Sequence, residues 1–116
     1  MTAATLNLKI EQGTTFRQAF TWSTNDKPVN LTGFKARMQL RENIDAQDFI
    51  IELTSENNGI NFTDKNNGKF EIYISAIDTG NFTFKHAVYD LEFVAPNTDI
   101  LRLLQGRVAL SAEVTR

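Results

Sequence analysis

Apolar side chains recur at every second position along most of this chain, and that alternation limits its fold more than any other feature. Phe34, Ala36, Met38 and Leu40 alternate with Lys35, Arg37, Gln39 and Arg41. Ala87, Tyr89, Leu91 and Phe93 repeat the pattern, as do Phe70, Ile72 and Ile74, and Phe49, Ile51 and Leu53. Leu6, Leu8 and Ile10 share one face, Phe16, Phe20 and Trp22 another, and a last stretch covers residues 100–110. Successive side chains of a strand point to opposite sides, so each run has one buried and one solvated face. A helix needs apolar residues at i, i+3, i+4 and i+7, and no window of useful length has them.

Turn residues separate the runs. Asn25-Asp26-Lys27-Pro28 reverses the chain after the second run. Asn57-Asn58-Gly59 and Asn66-Asn67-Gly68 read as hairpin turns, because Asn and Gly tolerate positive φ. Pro96-Asn97 divides the last two long strands. Gly106 interrupts the final run, where a bulge is expected to exchange the buried face. One helical turn is expected at Ser75-Ala76-Ile77-Asp78 with Ser75 as its N-cap, and a second short turn within residues 43–48. About seven or eight short strands joined by tight turns describe an all-β fold, an immunoglobulin-like antiparallel β-sandwich. With 116 residues the chain suits a single domain over residues 1–116. It has no cysteine, so Trp22 and the nine phenylalanines must fill the centre without an inter-sheet disulfide.

Little in the sequence points to chemistry. Twelve basic side chains against fourteen acidic ones give a net charge of −2, which is no footprint for nucleic acid or an acidic bilayer. No apolar run approaches the ~18 residues of a membrane span. Residues 1–9 carry no basic-then-apolar leader, so folding in a cytoplasm is expected. Without cysteine there is no thiolate zinc site or cysteine nucleophile. His86, the one histidine, reads as a half-exposed strand residue with no serine nucleophile turn to serve. The acidic loop Glu42, Asp45, Asp48 lacks calcium-loop spacing. Asp90 and Glu92 share a strand face roughly 7 Å apart, whereas retaining glycosidases hold their carboxyls about 5–5.5 Å apart across a cleft. They read instead as a solvated face opposite a basic neighbour. Gly13-Thr14-Thr15 lacks the lysine of a phosphate loop, and the sequons at Asn30, Asn61 and Asn81 follow from an Asn- and Thr-rich chain. No catalytic, cofactor or metal residues are expected, and no enzyme activity.

The most polarised feature is the outward face Lys35, Arg37, Gln39, Arg41, a basic ridge about 20 Å long. It suits either an edge strand charged against aggregation or docking on an acidic partner surface. The expected partner-binding residues are Lys35, Arg37 and Arg41, with Asp45 and Asp48 on the polar loop that follows.

The run Asp26-Lys27-Pro28-Val29-Asn30-Leu31-Thr32-Gly33-Phe34-Lys35-Ala36-Arg37-Met38 resembles a segment of small tailed-bacteriophage virion proteins, in which a D-x-P-V-D-L-T-G-aromatic-x-A-R-hydrophobic stretch joins two strands. Residues 10–16, residues 88–92 and residues 102–108, continuing to Glu113-Val114-Thr115-Arg116, are similar to other segments of that family in the same order. More loosely, the chain resembles the immunoglobulin-like domain that opens some phage upper-baseplate proteins. Asn30 stands where aspartate is commoner, and residues 42–69 match little. The resemblance implies a structural component of a virion, in the tail, neck, baseplate or fibre-attachment region, made in the host cytoplasm. Such a protein is expected in many copies of a symmetric assembly, with other virion structural proteins as partners and neither membrane nor nucleic acid. It assigns fold roles only: Gly33 in a turn, Leu31 as a buried plug, Tyr89 as a tyrosine-corner-like lock. The N-terminal strand, Leu6 to Ile10, is a candidate for joining another chain's sheet. A capsid decoration protein of the same virion is one alternative. Another is a carbohydrate-binding receptor-recognition module, which needs Trp22 and Tyr73 exposed in one groove.

Overall fold

In the computed structural model, which describes residues 3–115, the alternating runs become the strands of a β-sandwich. In chain order the elements are β1 (Ala4–Thr5), β2 (Leu8–Glu11), β3 (Phe16–Thr21), β4 (Ser23–Thr24), β5 (Lys27–Pro28), β6 (Lys35–Arg41), β7 (Ile51–Thr54), β8 (Ile60–Asp64), β9 (Lys69–Ile74), helix α1 (Ala76–Gly80), β10 (His86–Val94) and β11 (Ile100–Ser111). Eight of these strands have four residues or more; β1, β4 and β5 are two-residue pieces. One sheet runs β1-β11-β10-β6-β7, with β2 also on β11; the other runs β3-β9-β8, and β4–β5 is a separate hairpin. Pairing is antiparallel except where β1 and β2 lie parallel to β11.

The inward residues of both sheets form one core. Ala36, Met38 and Leu40 of β6, Ala87, Tyr89, Leu91 and Phe93 of β10, and Phe70, Ile72 and Ile74 of β9 are all buried. Phe93 sits at its centre with no exposure, its ring 5.1 Å from Phe70 across the sheets and 5.5 Å from Trp22. Phe34 and Phe62 close the cluster at 6.2 and 6.0 Å. Offset and edge-on contacts of this kind add to the area that these rings remove from water. Phe49 is not part of it. β7 begins at Ile51, and Phe49 stays exposed on the loop before it.

The turns follow residue chemistry, with one difference of topology. Asn25 and Asp26 both take positive φ between β4 and β5, as a two-residue primed turn requires. Asn66-Asn67-Gly68 reverses β8 into β9 through a short 3₁₀ turn that ends on Gly68 at φ +71°. Asn57-Asn58-Gly59 is no hairpin, because β7 pairs with β6 and β8 with β9. It carries the chain from one sheet to the other. There the Asn57 side chain replaces the missing ladder, accepting from the Thr54 and Gly59 amides and donating to the Glu52 carbonyl. The helical turn is α1, and the Ser75 hydroxyl caps it by accepting from the Asp78 amide at 3.1 Å.

β11 does exchange its buried face, but not at Gly106. The register shifts between Leu91 and Glu92, so that Leu104 opposes Leu91 and Arg102 opposes Glu92, leaving Leu103 extra. Gly106 has a different job. A Cβ there would stand 2.2 Å from the Leu6 carbonyl oxygen, so only glycine lets the β1–β2 junction lie so close. Tyr89 fixes the same junction, its hydroxyl donating to the Leu6 carbonyl at 2.6 Å. A tyrosine corner reaches backbone a few residues upstream; this lock instead reaches 83 residues back, to Leu6 between β1 and β2. Both of those strands are engaged within their own sheet, on β11.

The segments of the phage resemblance serve the fold. Leu31 is fully buried and its amide donates to the Lys65 carbonyl. The Asn30 side chain accepts from the Thr32 amide and hydroxyl, and Gly33 turns at φ +81° against Pro96. At the opposite end, the buried Thr79 hydroxyl accepts from the Gly13 amide and donates to the Thr14 carbonyl. Gln12 bridges the Phe82 carbonyl and the Glu113 amide. Arg116, the last residue of the resemblance, lies outside the described residues.

Candidate functional site

β6, β10 and β11 lie side by side, and their outward residues fall into three cross-strand rows. The first row is Arg107, Val88, Arg41; the second is Gln105, Asp90, Gln39; the third is Arg102, Glu92, Arg37. β7 extends the second row with Glu52 and the third with Thr54. The nine residues of β6, β10 and β11 in these rows line a shallow groove of about 940 Å³, open to solvent, with Ile44 beside them.

Each row is built differently. In the third, Glu92 lies between two arginines, and Arg37 Nε donates to its Oε1 at 2.9 Å. Arg102 reaches diagonally to Asp90 at 3.5 Å. In the second, Gln39 donates to Glu52 at 2.7 Å. Partial burial raises the Asp90 pKa above its ordinary 3.8; Arg102 opposes that shift and Glu92 adds to it. In the first, neither arginine makes an ion pair among the described residues, and Arg41 opposes the rise in the Asp90 pKa only through space. Arg41 donates to the Ala46 carbonyl at 2.8 Å and to the Gln39 side-chain oxygen at 2.7 Å, both neutral. Arg107 has no side-chain hydrogen bond or ion pair among the described residues.

The expected basic ridge is therefore divided, and its charged-edge reading is overturned. β6 lies inside its sheet, between β10 and β7, with no open edge to protect. Lys35 stands at the far end, 3.9 Å from Glu56. Arg37 is neutralised by Glu92, while Arg41 ties down the loop over residues 42–50. Asp45 and Asp48 are exposed on that loop, where the Asn43 side chain accepts from the Asp45 amide. Of the five residues expected to bind partners, Arg41, Asp45 and Asp48 share one neighbourhood, and Lys35 and Arg37 do not.

Arg102 and Arg107 are invisible to a reading of the sequence for a specific reason. Five positions apart, they should face opposite sides of a regular strand. The extra residue at Leu103 brings both to the outer face. Ile44 does carry a signal, an aliphatic residue inside a polar loop, but one to which a search for charge is blind.

Elsewhere the candidates separate. His86 is exposed at the start of β10, opposite Ala109, and borders neither this groove nor the smaller hollow beside α1. Trp22 packs edge-on against Phe34, whereas Tyr73 faces outward on β9 beneath the Arg17 guanidinium, 4.6 Å from its ring centre. They share no groove, so the aromatic platform of a sugar-binding module is not formed by this pair. No group of three His, Asp or Glu side chains among the described residues is placed to hold a metal ion. No helix among them is long and apolar enough to cross a membrane. No protein-family model matches the chain, and no curated protein matches it.

Proposed function

We propose that this chain is a structural component of a tailed-phage virion, in the tail, neck, baseplate or fibre-attachment region, and that it acts by protein–protein contact rather than by turnover. The immunoglobulin-like identity of the sandwich belongs to the same reading. One observation carries it. Residues within the phage resemblance help to fasten the sandwich: Asn30, Leu31 and Gly33 at one end, Gln12, Gly13 and Thr14 at the other, Tyr89 and Gly106 at the β1–β2 junction. A run that fastens the fold suits a module whose task is to hold its shape while loops and sheet faces meet neighbours. Repetition in a symmetric assembly then multiplies weak contacts into a strong one.

The test is protein mass spectrometry of density-purified particles released by the genome that encodes this chain. The expected result is the chain at a fixed ratio to the known shell and tail proteins, retained through high-salt washing. Its absence from particles, with all of it free in the lysate, overturns the proposal.

A further inference from the structure

Charges on this molecule divide into those answered within the chain and those left over. Arg37 meets Glu92, Arg102 meets Asp90, Arg17 meets Glu71 and Lys35 meets Glu56. Among the charges left over across the surface, some of both signs stand together at one end of the groove. Arg41 and Arg107 flank Val88 there with no ion pair to a carboxylate among the described residues; Arg41 acts on Asp90 only through space, and Arg107 is unanswered. Next to them the loop over residues 42–48 carries Ile44 at 85% exposure, with Asp45 and Asp48 exposed behind it. Neither aspartate has a side-chain ion pair among the described residues. The loop is held in place, since Arg41 grips the Ala46 carbonyl, the Ala46 amide donates to the Asn43 carbonyl and the Ile50 amide to the Leu40 carbonyl.

A patch with a cationic half beside an acidic, apolar-tipped half is complementary to itself under a two-fold rotation. We propose that the Arg107–Val88–Arg41 row and the adjoining loop form the interface of a symmetric dimer of this chain. Ile44 of each copy covers Val88 of the other, and Asp45 and Asp48 of each copy face the other's Arg41 and Arg107. In a two-fold contact, any residue pairing made once is made twice. The occupant is a second copy because both halves of the charge match lie on this one surface. This goes beyond the virion role and does not depend on it: dimerisation is read in the purified protein, incorporation in particles.

Sedimentation equilibrium of the purified chain tests it. A monomer–dimer equilibrium is expected, weakening as salt is raised. Ile44→Asp and Arg107→Glu should each weaken dimerisation by about tenfold or more. Both side chains are exposed, so thermal unfolding at concentrations low enough for wild type and variants all to be monomeric should barely move. The decisive arm mixes two variants. Arg107→Glu alone sets a new carboxylate against Asp45 and Asp48, and Asp45→Lys with Asp48→Lys sets lysines against arginines, so each alone should be monomeric. Mixed in equal amounts they should form a one-to-one heterodimer. A wild-type monomer up to its solubility limit overturns the proposal and leaves the patch to a different protein. A dimer indifferent to both single variants, or a mixture that does not pair, overturns it too.

Discussion

The two faces of β6, β10 and β11 come from the same strands in alternation, yet they are held by different physics. Inside, Ala36, Met38, Leu40, Ala87, Leu91 and Phe93 are buried against a second sheet, and volume decides what fits. Outside, arginine, glutamine and carboxylate rows are solvated, and their net energy is small because water competes for every contact. The inner face therefore supplies most of the stability and the outer face little of it. Substitutions that separate the two should fall in a clear order.

The largest loss is expected on the inner face. Phe93→Ala removes the ring that meets Trp22, Phe34, Phe62 and Phe70, and should cost about 3–5 kcal/mol in denaturant unfolding. A loss under about 1 kcal/mol would mean that the core closes without it.

Next come the two devices that dock the β1–β2 junction. Gly106→Ala forces a methyl group into the Leu6 backbone and should cost about 1–3 kcal/mol, with hydrogen exchange rising first in residues 4–11. Tyr89→Phe leaves the Leu6 carbonyl without its donor and should cost about 1–2 kcal/mol near neutral pH. The hydroxyl adds a pH signature. Burial pushes the Tyr89 pKa from 10.0 up to about 12. The folded state keeps this proton longer than the unfolded state, so the contribution is whole below pH 10 and is lost as pH rises toward 12. The wild-type-minus-variant difference should shrink over that interval; a flat difference would show that the hydroxyl is not confined.

The smallest effect belongs to the outer face. The Asp90 pKa is raised in the folded state, so its ionised form slightly opposes folding once pH exceeds the folded value. Asp90→Asn should raise stability at pH 7 by no more than roughly 0.5 kcal/mol, screening taken into account. The gain should vanish in acid, where Asp90 is protonated. A marked loss at pH 7 would mean that the Arg102 contact outweighs burial, and that the outer face is structural after all.

The same contrast governs what can be read from the sequence. Inner positions announce themselves by period two, because one slip of register moves a whole strand's apolar set into water. Turns and caps announce themselves by residue chemistry, as at Ser75 and at Asn25-Asp26. The outer rows do not, because a row exists only after three strands distant in sequence are brought into register. Arg41, Val88 and Arg107 become neighbours through two ladders, one of them with an extra residue at Leu103. For the same reason Asn57-Asn58-Gly59 is legible as a turn but not as a passage between sheets, since a turn residue does not say which strand comes next. Lys35 and Arg37 illustrate the converse. A strand read alone shows their charge and not the carboxylates that answer it.

Electron microscopy of particles from the encoding genome, with the density of this chain located in them, tests the proposed virion role most directly. The expected reconstruction holds many copies of the sandwich at symmetry-related positions, each in contact with neighbouring protein through sheet faces or loops. A well-resolved particle with no such density, beside a free chain carrying a bound small molecule in solution, would contradict it.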